Sequence, residues 1–260
     1  MSESKKDRLK RLARNDQFIS GIYNYCDRWC ERCTLRNKCF SFAMDSDLRT
    51  ENSPHNDPNN EEFWDGIHES FALAFELLQE SAEKWGVDLN SDPDPKREKR
   101  ERRRDRQTER DPLLKNSMAY AKAVDAWMDE RKTLFGEKAR QTEREIEMEL
   151  PGHDPLPEVI ALHEAVEVIR WYQYFLYPKI SRAMSGLLDD ERDMMDDVFG
   201  SAKIALIALE RSIGAWQTLG RLLQQSDDVL ELQIQLTKIK TELERRIPAA
   251  RDFKRPGFDD

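Results

Sequence analysis

From Val229 the apolar residues step by three and four, through Leu232, Leu236, Ile239 and Leu243, until Pro248 stops the run. That is the period of an α-helix with one buried stripe, and no segment shows the alternation that a half-buried strand needs. The same period recurs in Phe63, Ile67, Phe71, Ala74 and Leu78, and again in Leu114, Met118, Ala121 and Met128. The stretches 158–183 and 190–225 are apolar nearly all round, as central helices must be. The chain therefore reads as all-α: a bundle of about six helices with an N-terminal four-cysteine metal-binding helix and turn packed against it.

Composition agrees with that class. Charged residues make up 36% and apolar residues 38%, a balance that suits long helices with wide solvated faces better than sandwiches or barrels. At 260 residues, about 70–75% of the unfolded surface can be buried, so a sizeable core is available. No apolar run is long enough to span a bilayer, and the opening MSESKKDRLKRLARNDQ is polar, unlike a secretory leader. These features lead to the expectation of a cytoplasmic protein with no membrane partner. The net charge of −9 sets the chain as a whole against nucleic acid and anionic membrane.

Pro, Gly, Asp and Asn divide the chain into six parts. These are an N-terminal cysteine-motif segment, 1–44; a loop, 45–60; a helix, 61–86, closed by Gly86; a charged linker, 87–111; the main helical bundle, 112–248; and a C-terminal tail, 249–260. Asp111 followed by Pro112 is a helix start, and the charged stretch 137–149 is expected to extend the helix that begins there. Pro178 is expected to kink or break its helix, and Ser226 with Asp227 to cap the next.

All four cysteines fall in one window, YCDRWCERCTLRNKC, residues 25–39, as Cys26-x3-Cys30-x2-Cys33-x5-Cys39. Secreted domains spread cysteines to staple distant loops, whereas crowding of this kind points to metal ligation in a reducing compartment. Steps of four and three place Cys26, Cys30 and Cys33 on one side of a helix expected to begin at Gln17, with a turn through Arg36 bringing back Cys39. Two centres suit four thiolates: a [4Fe-4S] cluster, which tolerates compact and uneven spacing, or a structural zinc. Either leaves a charge of about −2, which Arg28, Arg32, Arg36 and Lys38 could offset.

Cys30-x2-Cys33-x5-Cys39 resembles the last three ligands of the iron–sulfur motif in helix-hairpin-helix DNA glycosylases, and similar spacing occurs in the cluster of some recombination nucleases. The first gap here is shorter than in the glycosylases. Cys26-x3-Cys30-x2-Cys33 is similar to the three-cysteine motif of radical S-adenosylmethionine enzymes, with Cys39 placed to fill the iron site that family keeps open. The stretch YCDRWCERC, with EVIRWYQYF and SAKIALIALERSI further on, resembles a group of uncharacterised bacterial helical proteins. The last likeness implies a helical fold and brings no function with it, and the first two imply an iron–sulfur cluster held at Cys26, Cys30, Cys33 and Cys39.

Polar residues on the apolar helices supply weaker candidates. His163, Glu167, Arg170 and Tyr174 share one side of their helix, and Asp196, Lys203 and Glu210 lie a heptad apart on the next. Facing one another, His163, Glu167, Lys203 and Glu210 would line a catalytic or binding pocket. The alternative is solvated stripes, or ion pairs of Lys203 and Arg170 with Glu210 and Glu167. His55 and His153 sit in Pro- and Asp-rich stretches and read as solvated.

Residues 96–110 hold nine basic and four acidic side chains, enough local positive charge to touch phosphates. No aromatic residue is interleaved to stack on bases, and a mixed-sign run is commonly a solvated helix face or loop. The partners expected are a redox or protein partner, nucleic acid through 96–110 alone, or a second copy of the chain. The roles open to a cluster are electron transfer, redox sensing and structural support. The alternative function is a helical interaction or scaffold protein with a structural zinc held by the four cysteines.

Overall fold

A computed structural model describes residues 5–51, 61–92, 94–148, 154–189, 195–224 and 226–259. Nine α-helices and no strand occur among them. The helices are α1 (Lys5–Ala13), α2 (Phe40–Glu51), α3 (Glu61–Trp85), α4 (Pro95–Glu109), α5 (Pro112–Glu130), α6 (Lys132–Glu147), α7 (Leu156–Leu187), α8 (Met195–Leu223) and α9 (Ser226–Arg246). The chain divides into two compact units, residues 1–99 with 255–260, and residues 100–254. No helix among the described residues is long and apolar enough to cross a membrane.

The larger unit is built on α7 and α8, which pack along their length, with α5 and α9 completing the core. Small residues on α8, among them Gly200, Ser201, Ala202, Ala205 and Ala208, are buried and let a neighbouring helix approach closely. Ile169, Tyr172, Leu176 and Ile180 of α7 meet that surface, each fully buried. Leu236 and Leu243 of α9 are buried in the same way, as the stepping by three and four requires. Each large apolar side chain so placed stabilises the fold by about 1.5–3 kcal/mol relative to leaving it exposed. At the start of α5, Pro112 occupies the first turn and the Asp111 carboxylate accepts the Leu113 N–H at 2.8 Å, satisfying one of the donors a helix start leaves open.

Several sequence expectations change. The linker expected over 87–111 contains a helix, α4, because Lys, Arg, Glu and Gln are strong helix formers even without an apolar stripe. Its start is fixed by Pro95 and by the Asp94 carboxylate, which accepts the Lys96 N–H at 2.9 Å. Near its end Thr108 is buried, and Arg104 pairs with Asp189 at the end of α7. The first part of the loop expected over 45–60 lies in α2, which runs on to Glu51, and residues 52–60 lie outside the described residues. Pro178 does not break its helix, since α7 continues past it to Leu187. Of the stretch 137–149, residues 137–147 lie in α6, a separate helix set off from α5 by Arg131, and residue 149 lies outside the described residues.

In the smaller unit α1 and α3 are joined by ion pairs, Lys6 with Glu76 at 2.6 Å and both Lys6 and Lys10 with Glu80. The expected cysteine-bearing helix from Gln17 is absent. Residues 14–39 instead form a folded loop with three short 3-10 turns, Ile22–Asn24, Cys30–Arg32 and Arg36–Lys38. Two residues prevent a helix there. Gly21 takes a left-handed φ of 73°, and Arg28, between the first two cysteines, takes 59°. That conformation costs a side-chain-bearing residue about 1–2 kcal/mol.

Candidate metal centre

Each of the last two 3-10 turns delivers a cysteine in the same way. Cys33 follows Cys30–Arg32 with extended backbone, its N–H donating to the Cys30 carbonyl at 3.2 Å. Cys39 follows Arg36–Lys38, also extended, its N–H donating to the Arg36 carbonyl at 3.1 Å. The loop is closed on itself by the Ile19 N–H, which donates to the Lys38 carbonyl at 3.0 Å, and by Phe18 packing edge-on against Phe40. Between Cys26 and Cys30 the Asp27 carboxylate accepts the Trp29 N–H at 3.2 Å, a side-chain turn that shapes the approach to the second cysteine.

All four thiols line one cavity. Ile22, Trp29, Phe42 and Phe258 give it apolar walls, and Arg28 and Arg36 are its cations. The four cysteines are half-buried and unbridged by disulfides. Burial pushes the Cys30 thiol above its ordinary pKa, and Cys26, Cys39, Glu31 and Cys33 add to the shift in that order. Four thiolates gathered here would repel one another unless a cation lay among them. Of the remaining basic side chains, Arg32 stacks over the Trp29 ring at 4.1 Å. Among the described residues no three His, Cys, Asp or Glu side chains are drawn close enough to hold a single metal ion. The cavity that the four cysteines line is small, about 20 Å³, room for roughly one water-sized group.

Phe258 was not legible as part of this site. It comes from the C-terminal tail, where Arg255 pairs with Asp259 at 2.8 Å and lies over the Phe258 ring at 4.9 Å. Gly257 between them has a left-handed φ of 75°, which strains any larger residue, and a Cβ there would fall 2.7 Å from Ile19 Cδ1, so that side chain would have to turn aside. The only sequence trace of this contact is a Pro-Gly-Phe triplet, too short to place.

The second group of candidates divides in two. His163 and Glu167 lie together on α7, Nδ1 3.7 Å from the carboxylate, with His163 largely in solvent. Lys203 donates to the Arg251 carbonyl at 2.5 Å, and Glu210 accepts from Arg251 at 2.6 Å and pairs with Lys240 at 3.2 Å. Arg251 and Lys240 hold the Glu210 carboxyl below its usual range against the opposing effect of burial. Lys203 and Glu210 therefore serve to fasten α8 to α9 and to the turn Pro248–Arg251, and the expected pairing of Lys203 with Glu210 is replaced by these contacts. Tyr174 donates instead to Asp125 of α5, which also accepts from Gln173 at 2.7 Å. His55 and His153 lie outside the described residues.

Comparison with known proteins finds no family model, no curated protein and no solved structure that matches this chain.

Proposed function

We propose that the cysteine-lined cavity holds one [4Fe-4S] cluster, ligated by Cys26, Cys30, Cys33 and Cys39, in the service of electron transfer, redox sensing or support of the surrounding loop. The observation that carries this reading is the convergence of every cysteine of the chain on a single cavity. Among the described residues no three thiols stand close enough to share a single ion, which favours a cluster over one ion. Zinc–sulfur bonds of about 2.3 Å in a tetrahedron put the sulfurs roughly 3.8 Å apart. A cubane binds each thiolate on a different iron, so its ligands stand further apart.

When bound, such a cluster supplies one-electron transfer. The protein's own residues would tune it. Ile22, Trp29, Phe42 and Phe258 line the cavity with apolar surface, which strengthens electrostatic interactions beside it. Arg28 and Arg36 place positive charge against the thiolates, easing the addition of an electron.

The test is iron and acid-labile sulfide analysis of protein purified without air, with an absorption spectrum. About four irons and four sulfides per chain, with a broad band at roughly 400 nm, are expected. A folded protein without stoichiometric metal would overturn the proposal. One zinc per chain would favour the second reading, a structural clamp in a helical interaction protein, which draws support from the tight Cys30-x2-Cys33 turn.

A further inference from the structure

Helix α4 is amphipathic in charge instead of hydropathy. Lys96, Lys99, Arg103, Arg106 and Arg110 recur by three and four along one line, with Arg100 beside them, while Glu98, Glu101, Asp105 and Glu109 fall on the opposite side. Arg110 lies one residue past the helix and still donates its N–H to the Arg106 carbonyl at 3.3 Å. All six basic residues are exposed. The edge anchored to the fold is a different one, marked by buried Thr108 and by the Arg104–Asp189 pair.

Several cations elsewhere in this acidic chain are paired, as in Arg182 with Asp197, Arg245 with Glu242 and Arg251 with Glu244. None of the six side chains on the α4 line makes an ion pair among the described residues. Like charges three and four apart on a helix repel, so the line weakens α4 by itself and has its counter-charge still to meet.

We propose that this face of α4 binds the phosphate backbone of duplex nucleic acid without reading its sequence. From Lys96 to Arg110 the line is about 21 Å long at the helical rise. A duplex presents one phosphate per strand about every 3.4 Å along its axis, so the line matches about six phosphates of one strand. No aromatic side chain lies within 96–110 to stack on unpaired bases, which disfavours single strands. No apolar face accompanies the charges, which disfavours a bilayer surface. Gln107 is the only amide on the helix, too little to read base edges. The proposal is independent of what the cysteines hold.

The experiment is fluorescence anisotropy of the full chain with a labelled mixed-sequence DNA duplex of about 30 base pairs, over salt from about 50 to about 200 mM. Six phosphate contacts predict a slope of log affinity against log salt of about −5. The triple variant Lys99→Gln, Arg103→Gln, Arg106→Gln should reduce the slope to about −3 and weaken binding at least about tenfold at low salt. Removing equal charge elsewhere, by Lys115→Gln, Lys122→Gln and Lys238→Gln, should change affinity less than about twofold, since phosphate contact is local. Arg103→Lys with Arg106→Lys should retain binding, because a point charge suffices. Absence of duplex binding at low salt, equal losses in the two triple variants, tighter binding to a single strand, or capture by phosphatidylserine vesicles in place of duplex would each overturn it.

Discussion

At the centre of the larger unit the indole N–H of Trp216 donates to the phenol oxygen of Tyr120 at 2.8 Å, joining α8 to α5 where both side chains are fully buried. Trp127 meets Trp216 edge-on at 5.0 Å between ring centres, so the bond sits within an aromatic cluster. Removing the phenol oxygen would leave the indole donor buried and unpaired.

Tyr120→Phe should therefore destabilise the protein by about 1–3 kcal/mol near neutral pH. Burial pushes the Tyr120 phenol far above its ordinary value, with the Trp216 bond acting the other way. A folded-state pKa above the unfolded value of 10.0 means that Tyr120 contributes its full stability below pH 10. That contribution is lost as pH rises and the unfolded phenol ionises. Urea unfolding of both proteins from pH 8 upward should show the gap between them closing above about pH 10. A gap that stays constant would show that Tyr120 ionises as readily in the fold as out of it.

Two helix glycines should respond with opposite sign. At Gly186 of α7 an added Cβ would lie 2.5 Å from Val198 Cγ2, and Val198 is fully buried. Gly186→Ala should cost about 1–3 kcal/mol through overpacking. Gly214 of α8 has nothing within 4 Å of the same position and is exposed. Gly214→Ala should raise stability by about 0.5–1 kcal/mol, because alanine loses less backbone freedom in a helix. Thermal unfolding of the two variants checks both signs at once.

The helices of the larger unit were legible because their stripes are buried. Leu236, Ile239 and Leu243 step by three and four in the chain and lie against the core in the fold. Helix α4 was hidden by the same logic, since Lys96, Lys99 and Arg103 follow a helical period in charge and carry no apolar signal. The cysteine loop misled in the other direction. Cys26, Cys30 and Cys33 are spaced like a helix face, but left-handed Arg28 intervenes, and an arginine gives no warning of that conformation. Their gathering at one cavity was still legible, because a loop and a helix can both bring four near neighbours together. Phe258 was not, because a contact across more than two hundred residues leaves no local pattern.

Stability in acid should depend on Glu242, whose carboxyl the Arg245 and Arg246 guanidinium groups hold down at about 2. Arg246 also pairs with Asp111, the capping residue of α5, at 2.5 Å, so the cluster ties α9 to α5. The folded pKa lies below the unfolded value of 4.5, so the stabilising contribution is present above pH 4.5 and lost as pH falls toward about 2. Glu242→Gln should be less stable than the native chain at pH 6 and indistinguishable from it at about pH 2. Denaturant unfolding across that range measures the difference; one that persists undiminished at pH 2 would assign the effect to packing.

Metal removal should loosen the cysteine loop and leave the larger unit intact. Residues 14–39 contain no α-helix, and Ile22 is their one side chain in the buried core. Ordering each residue costs about 1–2 kcal/mol of backbone entropy, more than one buried isoleucine and a few turns offset. In the proposed reading, metal–thiolate bonds supply the remainder, as in small domains whose folding free energy is largely metal-binding free energy. After chelation, or in Cys39→Ser, the amides of Ile19, Cys33 and Cys39 should exchange hydrogen much faster, since their acceptors are all within the loop. Those of Leu209 and Leu236 in α8 and α9 should exchange at unchanged rates, because their protection comes from a core that contains no cysteine. Unchanged exchange in the loop would mean that Phe18, Ile22, Phe40 and Phe258 hold it unaided, and the gathering of the four thiols would then serve chemistry instead of structure.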